Sequence, residues 1–597
     1  MAFANDTFDL GKITVFANKA GQQTKLSRTG ASVEIITTKQ LRQAPEKTVA
    51  EYLARLPGLS LSANGGLGAN TTLRVRGLDG KYIKVLVDGI DVTDPSSTQT
   101  QFDWGGLTTS QISRIEVLKG SSSSIYGSRA IAGVVNITTD QRTRKPGTTV
   151  SGFVEGGSFN TVQAGMNVAK QGKRGGMSIS LNRIKTKGFS AHSGAANTEP
   201  DGYDATKLNF SGDYKVSDTL TFGFSGLALN SRGSFDEFSG DGLPPYDEFT
   251  TVKTRALRGF AKLQTGAVKN TFSTSYYIND RVSHSNGFAT PFSGTRSRLD
   301  YTGVYASSNI LTYTFGTDWE KETFNSGTDR GQSTIAGAFG EVLYAPNAAL
   351  DLASSLRFDS HSAFGGNLSG RLSSVYRLSG ATTLRAVAST GFRAPSLYEL
   401  NSTLYGNTAL NPEASTTLEL GVEQQLGGGS FIKATGFYTE INNLIQFVTL
   451  SSFPAPFTGQ YQQVVGKSVS KGIELSGEWV LSDKVNLFGN YTYTDATDAT
   501  GARLLRVPTN DLVMGLGAQI NANWKGNVSV RYVADRPSEF GTVMPDYSVV
   551  NASVSYAVSD RAELYLRVEN LFDADYQTSA NFNASRRAFY AGLRANF

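Results

Sequence analysis

Beyond about residue 142 the chain alternates apolar and polar side chains with a period of two, segment after segment. Ala562, Leu564, Leu566 and Val568 interleave with Arg561, Glu563, Tyr565, Arg567 and Glu569. Leu220, Phe222 and Phe224 alternate with Thr and Gly, and Phe589, Ala591, Leu593, Ala595 and Phe597 with Tyr590, Gly592, Arg594 and Asn596. Such alternation predicts strands with one apolar and one polar face. A soluble sandwich turns the apolar face to its core, whereas an outer-membrane barrel turns it to lipid and its charges to the lumen. The number of such segments, the long polar gaps between some of them, and the final strand ending on Phe597 favour the barrel. The first 140 or so residues read differently. Residues 48–56 place Val49, Tyr52, Leu53 and Leu56 at helical spacing, with Pro57-Gly58 as the stop, while residues 33–37 and 82–88 read as strands. That mixture predicts a separate small α/β domain with its own core.

Composition removes alternatives. There is no cysteine, so disulfides and thiolate metal sites are excluded. No run approaches the eighteen or so apolar residues of a membrane-spanning helix, a test that is blind to barrel strands. The 64 Gly, 34 Phe and 25 Tyr against 4 Trp suit bent strands and interfacial aromatic girdles. The net charge of +5 names no partner, and the basic residues are spread along the chain rather than clustered, which argues against nucleic-acid binding. Neither a Gly-x-Ser-x-Gly elbow nor a His-Glu-x-x-His pair is present, and the expectation is that the protein is no enzyme. Met1-Ala-Phe-Ala4 has the small-x-small form of an export cleavage site, which would put the mature start near Asn5.

The motifs Leu73-Arg-Val-Arg-Gly77, Val85-Leu-Val-Asp-Gly89, Arg114-Ile-Glu-Val-Leu-Lys-Gly120, Ile125-Tyr-Gly-Ser128 and Gly133-Val-Val-Asn-Ile-Thr138 carry more. In this order and spacing they closely resemble the plug domain of TonB-dependent outer-membrane receptors. Ser121 stands where many members of that family have Pro, and the stretch 120–127 lacks the Gly-Lys-Ser/Thr ending of a phosphate loop, so it is read as a turn. The resemblance implies a membrane all-β fold, a 22-stranded antiparallel transmembrane β-barrel enclosing an N-terminal α/β plug, acting as a monomer in outer-membrane lipid. The expected division is 5–20 for a periplasmic segment, 21–142 for the plug and 143–597 for the barrel. About 455 residues over 22 strands leave about 21 per strand and loop, room for tilted strands of 9–11 residues. A passive porin would lack the plug motifs, and a signal-transducing receptor would carry a further domain before residue 11.

Site residues follow from the same resemblance. Gly11-Lys-Ile-Thr-Val-Phe-Ala17 looks like a Ton box, in which Ile13, Thr14, Val15, Phe16 and Ala17 would add as a strand to the periplasmic protein TonB, itself driven by an inner-membrane energy-transducing complex. Arg74, Arg76, Arg114 and Arg129 with Asp88 and Glu116 form a plug charge network, which in the family meets acids on the barrel wall; ordinary surface charge is the alternative. The apical loops 62–70 and 91–104 offer Asn64, Leu67, Asn70, Ser97, Gln99 and Phe102 to a solute, or to solvent. Asp201, Asp204, Asp236 and Asp247 lie in two acidic loops one hairpin apart, where carboxylates suit calcium; solvated loops are the other reading. Cobalamin receptors of the family bind calcium in this way. Gly391-Phe-Arg-Ala-Pro395 and Asn411-Pro-Glu413 resemble motifs that bracket a haem-ligating His in haem receptors, but no His lies between them here and the chain has three in all, so haem is disfavoured. The resemblance is therefore nearest to the cobalamin subfamily, with a corrinoid as solute and calcium as cofactor. A ferric siderophore or another small organic solute is the alternative.

Overall fold

The computed structural model describes residues 14–15, 24–25, 28–143, 145–194, 199–237, 248–452 and 455–597. Among these, the alternating segments form one closed antiparallel barrel of 22 strands, running from Gly147–Gly157 to Ala588–Asn596. The first and last strands pair, Ser151 opposite Asn596 and Gly157 opposite Tyr590. Closure leaves no row of unpaired backbone groups, the condition for a sheet to stand in hydrocarbon. The choice between sandwich and barrel is made by where the two faces point. Phe222, Phe224, Leu564, Leu566, Phe589 and Leu593 are exposed on the outside of the isolated chain, while Tyr565, Arg567 and Tyr590 are buried inside the ring. Several strands reach 15 to 19 residues, such as Phe288–Ala306, more than the 9–11 that hydrocarbon requires, so the wall rises beyond the lipid.

One rim carries tight turns, such as the connection from Thr161–Gln171 to Gly175–Thr186. The other carries the long connections that leave the barrel after Thr186, Ser234 and Arg393. In outer-membrane barrels the short turns are periplasmic and the long loops extracellular.

The plug fills the ring. Its sheet has the order Val33–Thr37, Arg114–Lys119, Gly133–Thr138, Ile83–Val87, Ile90–Asp91, and all its pairs are antiparallel except Ile83–Val87 with Gly133–Thr138. Ile36, Leu53, Leu73, Val85, Val117, Val135 and Ile137 make its core. The helix Val49–Leu53 starts at a capping box, Thr48 with Glu51. It is shorter than the spacing of residues 48–56 predicts, because the chain turns through Gly58, at φ +77, into the strand Leu59–Ala63.

Candidate functional site

The plug is held by buried charge. Arg76 donates from Nε to Glu474 Oε1 at 2.7 Å and lies 3.1 Å from Glu419, both on the barrel wall. Lys119 donates to the second oxygen of Glu474 at 2.8 Å and to the carbonyl of Pro57 at 2.9 Å. Two glycines make this approach possible. A Cβ on Gly58 would sit 2.1 Å from Glu474 Oε1, and one on Gly120 1.9 Å from Glu419 Oε1; both have positive φ. A second knot centres on Asp91, which faces Arg296 at 3.2 Å, Lys84 at 3.4 Å and Arg129 at 3.5 Å. Arg129 also donates to Glu322 at 2.9 Å and Glu320 at 3.2 Å. The chain continues into the wall through Arg298 and Arg357, which share Asp318. Burial acts to raise the Asp91 carboxyl, but the charges of Arg296, Lys84 and Arg129 outweigh it and hold the group well below the usual carboxylate range. For Lys84 burial wins over Asp91 and pushes the ammonium down to about 8.

Arg76, Asp88 and Arg129 all occupy the left-handed region, at φ 52, 48 and 76. Such conformations persist where surrounding contacts over-determine them. Of the residues expected to form the plug network, Arg76 and Arg129 reach the barrel. Arg74 instead donates to Ser62 and pairs with Asp79, and Arg114 pairs with Glu116 on its own strand; the Asp88 carboxylate accepts from Thr139, while its backbone carbonyl accepts from Ser225 on the wall at 3.0 Å. Lys81, Lys84, Asp91 and Lys119 escaped the sequence reading, as did their wall partners. The available signal was the polar phase of the barrel strands, which puts Glu413 and Glu419 on the lumen side of Glu413–Gly427.

Above the plug, the connection 394–412 folds into the barrel mouth. Its helix Leu397–Asn401 begins at a capping box of Ser396 and Glu399. Fully buried Arg393 holds Glu399 at 2.9 Å and also pairs with Glu413, which accepts from Tyr82 at 3.0 Å. Gln99 donates to Glu399 at 3.1 Å, and Ser396 donates to the carbonyl of Thr98 at 2.7 Å. The expected solute loops are thus partly covered. Gln99 is committed to this contact, and Phe102 stands edge-on to buried Trp104. The loops 62–70 and 91–104 do converge, since Gly68 donates to Gly105 and Asp103 accepts from Thr71. Asn64 and Asn70 share one backbone hydrogen bond, with Asn70 exposed and Ser97 half-buried. Leu67 packs on Ile184 and Tyr203 and lines a cavity of about 150 Å³ between plug and wall, with Trp104, Phe159, Phe189 and Tyr576.

In the acidic loops, carboxylate oxygens of Glu199, Asp201 and Asp236 lie within 4.8 Å of one another. Asp201 accepts from the backbone N–H of Ala191 at 2.7 Å, and Asp236 from that of His192. Three hard oxygen donors from two loops fit a calcium ion in chemistry. Asp204 does not join them. The strand Tyr203–Lys215 has already begun, so its period-two alternation buries Tyr203 and Ala205 and turns Asp204 outwards onto Arg183, at 2.6 Å. Asp247 lies outside the described residues. Glu199 was not foreseen. Of the expected Ton box, Thr14–Val15 is a strand paired antiparallel with Thr24–Lys25; Ile13, Phe16 and Ala17 lie outside the described residues.

A closed 22-stranded barrel filled by a charge-clamped α/β plug defines an outer-membrane receptor of the gated kind. The chain belongs to the TonB-dependent receptors: residues 138–571 match the family model "TonB dependent receptor-like, beta-barrel" and residues 25–134 the "TonB-dependent Receptor Plug Domain". It is a transporter of the outer membrane and not an enzyme. Among its relatives, the vitamin B12 transporter BtuB of Vibrio cholerae is 28% identical, with 100% of this chain and 97% of that protein covered. Among solved structures, the siderophore receptor PirA from Acinetobacter baumannii matches with a TM-score of 0.79 at 19% identity, over 95% of this chain and 98% of that one. The ferric enterobactin receptor PfeA from Pseudomonas aeruginosa matches with a TM-score of 0.80 at 19% identity, again over 95% and 98%.

Proposed function

We propose that the solute is cobalamin or a related corrinoid, carried across the outer membrane by TonB-dependent active transport. The observation that carries this reading is the full-length likeness to a vitamin B12 transporter. The likeness to siderophore receptors, at 19% identity, speaks for the fold alone. In this reading Glu199, Asp201 and Asp236 would hold calcium, which would tie the loops 187–202 and 235–248 together over the barrel mouth. The solute would be gripped by these loops and by the plug apex around residues 62–70 and 91–104. TonB would pair with residues 13–17 and pull on the plug. The buried ion pairs support that step, because a charged interface can part into water while exposing little apolar area, unlike a dry core. Calorimetric titration of the purified protein with cyanocobalamin, with calcium and with chelator, tests the reading. Saturable binding that weakens on chelation is expected. Absence of binding in both conditions would replace the corrinoid by a siderophore or another organic solute.

A further inference from the structure

The outer face of the barrel carries a basic patch, on the lipid side of the strands that hold the two acidic loops. On the extracellular ends of four neighbouring strands, Gly175–Thr186, Tyr203–Lys215, Leu220–Ser234 and Phe249–Thr265, the outward phase changes abruptly from apolar to basic. Lower down it is Ile179 and Leu181, then Phe222 and Phe224, then Leu257 and Leu263, all exposed. Above, on the same faces, it is Arg183 and Lys185, then Arg232, then Lys253 and Arg255, again all exposed. Register places them side by side. Lys185, Asp204 and Arg232 are directly opposite one another across three strands, and Arg183, Thr206, Asn230 and Lys253 across four. At about 4.8 Å per strand the patch is about 15 Å wide.

Five cations here face two carboxylates. Asp204 is taken by Arg183, and Asp280, opposite Lys253, accepts from Ser293 at 2.6 Å. Among the described residues, Lys185, Arg232, Lys253 and Arg255 have no carboxylate within ion-pair distance. On the outer face of the strand Lys467–Ser482, by contrast, Lys467 pairs with Glu440 at 2.8 Å and Lys471 with Asp495 at 3.3 Å. The patch gathers four cations without a carboxylate on neighbouring strands. It begins where the lipid-facing band stops, the height at which lipid headgroups lie.

We propose that this wall binds the phosphorylated headgroup of an anionic glycolipid of the outer leaflet. Its acyl chains lie on Ile179, Leu181, Phe224 and Leu257, and its phosphate esters are held by Lys185, Arg232, Lys253 and Arg255. Guanidinium forks match phosphate oxygens in pairs and lysines add point charge. A soluble anion would use the cations but not the apolar strip beneath them. The site is independent of which solute the barrel carries. The test is native mass spectrometry of the whole purified protein, offered a bisphosphorylated diglucosamine lipid or its phosphate-free counterpart. The wild type should retain the phosphorylated lipid at least about tenfold better, and K185Q/R232Q/K253Q/R255Q should lose that preference, with K253Q/R255Q between the two. Heat-modified gel mobility verifies that the barrels are folded, and K467Q/K471Q should behave as wild type. Equal retention of the two lipids by the wild type, or undiminished preference in the fourfold variant, would overturn the proposal.

Discussion

At the scale of single residues, Glu474 is the point on which the plug clamp turns. It is buried between Arg76 and Lys119, and removing its charge leaves Arg76 with Glu419 alone and Lys119 with Glu34 and the Pro57 carbonyl. Glu474→Gln should weaken plug retention by about 3–5 kcal/mol. The chain has no cysteine, so a fluorophore on a single introduced cysteine at exposed Asn70 can follow plug release in denaturant. Gly58→Ala should act in the same direction, because its Cβ would displace the same carboxylate and its φ of +77 disfavours a side chain. Lys84 gives a pH signature. Its folded value of about 8 lies below the unfolded 10.5, so the native plug binds fewer protons across that window. Its penalty is complete below pH 8, and stability rises as pH climbs from 8 towards 10.5. The same release assay on Lys84→Met should lack this share of the rise; an unchanged difference between the two proteins across the window would contradict the assignment.

At the scale of elements, the proposed function rests on two segments. Deleting residues 11–17 should abolish uptake while leaving solute binding at the surface intact; unimpaired uptake would remove the Ton box from this position. Asp201→Asn with Asp236→Asn should abolish the calcium dependence of solute affinity while the barrel folds normally, read by titration with and without chelator. The strands that hold these loops were legible because alternation is local: each apolar–polar run is a strand, and its phase fixes which residues face the lumen. The same locality explains the misplaced ligand. The sequence places Asp204 at the end of an acidic loop, but the strand starts at Tyr203, and one residue of phase turns the carboxylate to the outer face. The plug helix at 49–53 is visible in its spacing and the turn at Pro57-Gly58 in its residues, but the helix ends short of Leu56 because the chain must already turn towards the hairpin that follows.

At the scale of the whole molecule, the plug motifs and the alternation together made the architecture readable, down to a barrel that closes on its last strand. What stayed hidden is the pairing of plug with wall. Arg76 and Glu474 are 398 residues apart, and no local pattern says which of many lumen-facing acids will meet which plug cation. That pairing exists only where the closed ring meets the plug, and it holds the plug in the barrel. In the proposed function a corrinoid passes through this ring when TonB acts on the plug. It is tested most directly by following labelled cyanocobalamin into cells whose only route for it is this protein, with TonB present and with TonB deleted. Surface binding is expected in both strains, and accumulation only where TonB is present. Accumulation that is equal in the two strains, or no binding in either, would contradict it.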